Sequence, residues 1–159
     1  MKKAAEIMTA PVITVSPSTS VHDVATLLAS KSFGSSPVVD AQGRVLGVVT
    51  EESMVRRAAA IHLPRHLEFL GSIIYLENPS SFTEEAKSIL AMTAEDIMEK
   101  HFAETRPDVS LDMIATRLLA EDLRRVLVID KEGVLCGIIT RADIVRQLAL
   151  TEQSPDAEA

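Results

Sequence analysis

Tryptophan is absent from this 159-residue chain, and its aromatic residues amount to four phenylalanines and one tyrosine. A core without large rings must be filled by Val, Ile, Leu and Ala, and the 47% hydrophobic content is enough to build one, so disorder is not expected. Cysteine occurs once, at Cys136 inside an apolar run. That excludes an internal disulfide, fits a reducing compartment, and reads as a buried inert thiol. Positive charge is also scarce, with 16 Lys and Arg against 23 Asp and Glu and a net charge of -7. Binding to nucleic-acid polymers needs clustered cations that displace counterions, and this balance argues against it. No apolar run approaches the length of a transmembrane helix. The lysines of MKKAAEIMTAP have no long apolar stretch behind them, as a signal peptide would require. A soluble cytoplasmic protein is the expectation.

The chemistry of catalysis is missing in the same way. There is no GxGxxG, Walker A loop or GxSxG. His62 and His66 have the spacing of a zinc pair on one helical turn, but Pro64 between them breaks that geometry. His22 and His101 stand apart from them, and Glu51-Glu52 and Glu84-Glu85 read as acids at helix starts. We expect no enzyme, no catalytic residues, no metal site and no catalytic cofactor.

What the chain does have is a duplication. An offset of 90 residues pairs Met8 with Met98, Pro17 with Pro107, Leu28 with Leu118, Asp40 with Asp130, Gly47 with Gly137, Thr50 with Thr140 and Arg56 with Arg146, without a gap. In each copy Ser18-Thr19-Ser20 or Asp108-Val109-Ser110 offers an N-cap. A helix follows, with its apolar face at Val21, Val24, Ala25 and Leu28, or Leu111, Ile114, Ala115 and Leu118. The stretches PVVD-AQGR-VLGVVT and LVID-KEGV-LCGIIT predict β-hairpins with short glycine-containing turns. A final helix begins after each threonine. The unit is strand–helix–strand–strand–helix, too small to be comfortable alone. Between the copies lies an insert that is apolar for a connector at RHLEFLGSIIYL. Its Ser81 and Glu84 make a capping box, and it is expected to cover its own module or a dimer mate, with a partner or membrane-surface site as the alternative. The tail from Thr151 is polar.

The strand-to-helix junctions are the informative places. GIITRADI puts Thr140 and Asp143 at such a turn, whereas GVVTEESM has Thr50 and Ser53 in their place. Taken alone, the pair in the second copy fits an N-cap with a first-turn acid, or a site that holds something.

Together, EIM and DIM ahead of each first strand, the helix, PVVD and LVID, and above all GVVTEES and GIITRAD resemble a pair of cystathionine-β-synthase-type (CBS) repeats. The likeness implies an α+β fold of two β-α-β-β-α repeats, residues 5–56 and 95–148, packed as a pseudo-twofold module. A partly helical insert (57–94) separates them and a polar tail (149–159) follows. It also implies a regulatory module that often dimerises and whose clefts bind adenosine-containing ligands.

Carried onto this sequence, the resemblance makes Asp143 the acceptor for ribose hydroxyls and gives Thr140 a contact to sugar or phosphate. Arg125 or Arg124, where the first copy has Ser35 and Gly34, becomes the phosphate partner. Ile138 packs on the adenine, and Thr9 to Ile13 with Phe33-Gly34 face the base from the first copy. One competent and one degenerate cleft (Thr50, Ser53) are expected. The expected function is a homodimeric sensor of AMP, ADP, ATP or S-adenosylmethionine that signals to an unidentified client protein. The alternative is a structural dimerisation or adaptor module with vestigial clefts.

Overall fold

The structure is a computed structural model that describes residues 1–31, 34–60 and 91–151. Insert residues 61–90, and with them Pro64, His62, His66 and the Ser81 capping box, lie outside the described residues, as does the tail beyond residue 151.

The elements follow the duplicated pattern. The first copy runs α1 (Ala4–Ile7), α2 (Val21–Lys31), β1 (Ser35–Val39), β2 (Val45–Thr50) and α3 (Glu51–Ala60). The second runs α4 (Ala94–Ile97), β3 (Glu104–Thr105), α5 (Leu111–Ala120), β4 (Arg125–Ile129), β5 (Leu135–Thr140) and α6 (Arg141–Thr151). The fold is α+β, with an antiparallel hairpin in each copy. The hairpin glycines Gly43 and Gly133 take φ of 79° and 86°, a conformation that L side chains rarely adopt. Ser20 caps α2 by accepting from the Asp23 N–H at 3.1 Å. Its counterpart Ser110 makes no side-chain cap bond.

The leading strand expected in each copy is slight. In the second copy it is the two residues of β3, parallel to β4. In the first it shrinks to a parallel bridge between Val15 and Val38. Pro17 and Pro107 follow within two residues and cannot donate to a ladder, so pairing stops there. The EIM and DIM segments ahead of these strands form the one-turn helices α1 and α4, which the sequence reading did not anticipate.

The chain forms two compact units. One joins residues 1–13 and 42–45 to the chain from His101 onward, and the other joins Thr14–Ala41 to the chain between Leu46 and Lys100. Each unit therefore takes its leading segment from the opposite repeat. In the first unit α1 is held by Ala4 N–H to Val109 O at 2.8 Å and Ala5 N–H to Pro107 O at 3.0 Å. In the second, α4 is held 90 positions on, by Ala94 N–H to Thr19 O at 2.8 Å and Glu95 N–H to Pro17 O at 3.1 Å.

The cores have the predicted faces. In the first unit Ile114 and Leu118 of α5 pack with Val126, Val128 and Ile139 of the sheet and with Ala4 and Ile7 of α1. In the second Val21, Val24 and Leu28 of α2 pack with Val38, Val49, Met54, Ala94 and Ile97.

Candidate functional site

In the first unit β5 ends at Thr140 and α6 starts at the next residue, so Thr140 is the helix N-cap and Asp143 lies in the first turn. The Asp143 carboxylate folds back over the cap. Its Oδ2 accepts from the Thr140 N–H and from the Thr140 hydroxyl, both at 2.8 Å. Its Oδ1 accepts from the Thr9 hydroxyl at 3.2 Å and from the Arg146 guanidinium at 2.8 Å. Asp143 is 3% exposed.

Thr9 reaches this point because its segment is bound to β5 on the edge away from β4. Thr9 N–H donates to Ile138 O at 2.9 Å and Ile138 N–H returns a bond to Thr9 O at 3.1 Å. That approach needs Gly137, since a Cβ there would lie 2.7 Å from Met8 Cγ and 2.9 Å from Met8 Cβ.

The second unit repeats the cap with different chemistry. Thr50 N–H donates to Ser53 Oγ at 3.0 Å, and Ser53 N–H donates to Thr50 Oγ1 at 2.9 Å. The Ser53 hydroxyl gives its own proton to Thr50 O at 2.9 Å. A serine therefore supplies the capping bond that Asp143 supplies in the first unit. At the position equivalent to Thr9 stands Glu99, whose Oε1 lies 3.5 Å from the Thr50 hydroxyl.

Of the residues singled out from the sequence, Thr9, Thr140 and Asp143 are joined by hydrogen bonds. Ile138 is half-buried and carries the backbone bridge to Thr9. Arg125 is half-buried at the start of β4 and stands opposite Thr140 in the ladder. Arg124 is exposed, and its neighbour is Asp122. The Asp122 carboxyl is held below the usual carboxylate range by the hydrogen bond and charge of Arg141, with a smaller pull from Arg124. Ile13 is 43% exposed in the same unit. Gly34 belongs to the other unit, where its carbonyl accepts from the Glu51 N–H at 3.1 Å. Phe33 lies outside the described residues.

Arg146 is the site member that sequence reasoning missed. The signal was present, because an acid and an arginine three apart on a helix share a face. Cys136 is half-buried, and desolvation raises its thiol above the ordinary range, with the Asp130 charge adding to it. A cavity of about 300 Å³ lies elsewhere in the unit, lined by residues that include Glu104, Arg106, Met113 and Arg117. It contains none of the candidate residues. Among the described residues no group of three His, Cys, Asp or Glu is placed to hold a metal ion. No described helix is long and apolar enough to cross a membrane.

Comparison with known proteins agrees with this architecture. The CBS domain family model matches residues 4–60 and 94–150. An uncharacterized protein of Methanocaldococcus jannaschii is 25% identical over 150 residues, covering 90% of this chain and 89% of that one. The chloroplastic CBS domain-containing protein CBSX2 of Arabidopsis thaliana is 29% identical over 136 residues, covering 83% of this chain and 56% of that protein. A crystal structure of CBSX2 in complex with AMP superposes with a TM-score of 0.72, at 26% identity, covering 97% of this chain and all of that one. A putative acetoin utilization protein from Vibrio cholerae has the same fold, with a TM-score of 0.74 at 21% identity and 98% and 99% coverage. With both copies matched by the family model and the fold shared along nearly the whole chain, this protein belongs to the CBS domain family as a single CBS pair.

Proposed function

We propose that the protein is a regulatory module that binds an adenosine-containing ligand, with Asp143 as the acceptor of the ribose hydroxyls. One observation carries this reading. Asp143 is a carboxylate 3% exposed at a cap position where, in the second unit, a serine makes the same backbone bond. Burying a charge is costly unless it is fully partnered, and a cap does not require it. A carboxylate does, however, accept two hydroxyl protons in charge-assisted bonds, which a serine cannot do. The complex of CBSX2 with AMP supports the ligand class. The proposed ligands are AMP, ADP, ATP or S-adenosylmethionine, with Ile138, Thr9 and Ile13 as further contacts. Phe33 and Gly34 are carried into the proposal by the family resemblance alone.

The proposal extends to a non-catalytic homodimer, built from repeats 5–56 and 95–148, that reports the bound state to a client protein. Exposed Leu119 on α5, and Val145 and Leu148 on α6, are apolar surface of the kind that dimers cover. Calorimetric titration with the four ligands tests the central claim. Saturable binding of at least one is expected, together with a melting temperature that climbs with ligand concentration. No binding by any of them would leave the adaptor reading in its place.

Arg125 is proposed as the phosphate partner in preference to Arg124, because it stands opposite Thr140 in the ladder. Arg125→Ala is expected to weaken AMP about tenfold and adenosine much less, since a guanidinium fork matches an anionic phosphate. Equal losses for both ligands in parallel titrations would remove Arg125 from the site.

A further inference from the structure

The Asp143 carboxylate has no spare acceptor position. A carboxylate offers about four lone-pair sites, and four donors already occupy them, two from Thr140 on Oδ2 and one each from Thr9 and Arg146 on Oδ1. A ribose diol can therefore bind only by displacing a resident donor. Of the two on Oδ2, one is the Thr140 backbone N–H, fixed by the helix cap, and the other is the hydroxyl of the same residue, on a short side chain at the cap. On Oδ1, Thr9 is a short side chain on a backbone-bonded segment, whereas Arg146 is long and its side chain is 62% exposed. Arg146 is the donor that leaves most easily.

We infer that Arg146 is a built-in competitor of the ligand: it occupies Asp143 when the site is empty and must give up that contact to the ribose. The inference rests on the ribose-binding reading of Asp143 and assigns a residue that sets affinity within that site. The other copy serves as an internal comparison. Arg56, the repeat counterpart of Arg146, has a serine three residues before it and pairs instead with Glu52 at 2.7 Å on an exposed helix face. The arginine follows the acid, and only in the second copy is that acid the buried one.

The test is calorimetric titration of wild type, Arg146→Gln and Arg56→Gln with adenosine, which has no phosphate to attract a freed guanidinium. Arg146→Gln is expected to bind adenosine about threefold to tenfold more tightly, the scale of a partly exposed ion pair to a buried acceptor. Arg146→Lys, which keeps a cation without the planar fork, should fall between it and wild type, and Arg56→Gln should match wild type. With 2′-deoxyadenosine, which offers one hydroxyl fewer to Asp143, the gain from Arg146→Gln should shrink.

A gain in affinity is a readout that a purely structural role for Arg146 would not produce. If wild type binds adenosine and Arg146→Gln binds it equally or more weakly, the competitor role is overturned and the ribose reading stands. An equal gain for adenosine and 2′-deoxyadenosine would also overturn it. If neither protein binds adenosine at millimolar concentrations, AMP takes its place in the same comparison, and absence of AMP binding as well fails the ribose reading and the inference with it.

Discussion

Asp143→Ser is expected to weaken nucleotide binding by about 1.5–3 kcal/mol, roughly tenfold to a hundredfold in Kd, the range for a hydrogen bond to a charged group. It should leave the melting temperature of the unliganded protein nearly unchanged. Both halves of this expectation come from the second unit, where Ser53 accepts from the Thr50 N–H at 3.0 Å and keeps the helix capped without a carboxylate. The substitution thus imports a cap already tolerated in this fold and removes the charge together with its bonds to Thr9 and Arg146. Asp143→Ala should lose the same affinity and some stability besides, about 0.5–2 kcal/mol for a missing cap. Ser53→Ala should share the stability loss and spare the affinity. Titration calorimetry paired with thermal melts separates the two effects. Retention of wild-type affinity by Asp143→Ser would take the carboxylate out of the binding site.

Gly137→Ala is expected to destabilise the protein by about 1–3 kcal/mol, as overpacking does, and to weaken ligand binding at the same time. The added Cβ would sit 2.7 Å from Met8 Cγ and 2.9 Å from Met8 Cβ, so the Met8–Thr9 segment must move off β5. Thr9 would then lose its backbone pair with Ile138 and its hydroxyl bond to Asp143. Gly47→Ala is the matched control. Its Cβ would meet the Glu99 carbonyl at 2.8 Å, and a backbone atom cannot turn aside as a side chain can. It should cost stability in the second unit and leave Asp143 intact. Urea denaturation and ligand titration of both variants check the pair. A Gly137→Ala protein with wild-type stability and affinity would mean that Met8 simply rotates away, and the close approach would not matter.

Much of this was legible in the sequence, for identifiable reasons. The helices α2 and α5 announce themselves because Val21, Val24 and Leu28, and Ile114 and Leu118, recur at helical spacing and are the residues that became buried. The hairpins are marked by a glycine that must take positive φ between two apolar runs. The short helices α1 and α4 were not read, because four residues are too few to display a helical period. They are fixed instead by backbone bonds to Val109 and Pro107, or to Thr19 and Pro17, which lie far away in the chain. Arg146 was visible as a repeated residue. Its partner was legible too, since Asp143 stands three residues before it, whereas Arg56 has Glu52 four residues before it and a serine at three.

Two copies of one unit, in register at an offset of 90 residues, follow from the amino-acid sequence alone, as does their difference at the cap, with Asp143 in one and Ser53 in the other. Local physics is sufficient for this, since periodicity, caps and turns depend on near neighbours along the chain. It did not determine which leading segment each unit would take. A gapless repeat is equally consistent with each copy keeping its own segment, because Ala4 and Ile7 are interchangeable in kind with Ala94 and Ile97. The choice was made by contacts between residues far apart in the chain. Long-range backbone bonds seat Met8 against Gly137 and Met98 against Gly47. That choice brings the Thr9 hydroxyl, rather than the Glu99 carboxylate, to the buried Asp143. Had each unit kept its own segment, two acids would have met at one cap, where like charges repel and a fully partnered carboxylate could not form.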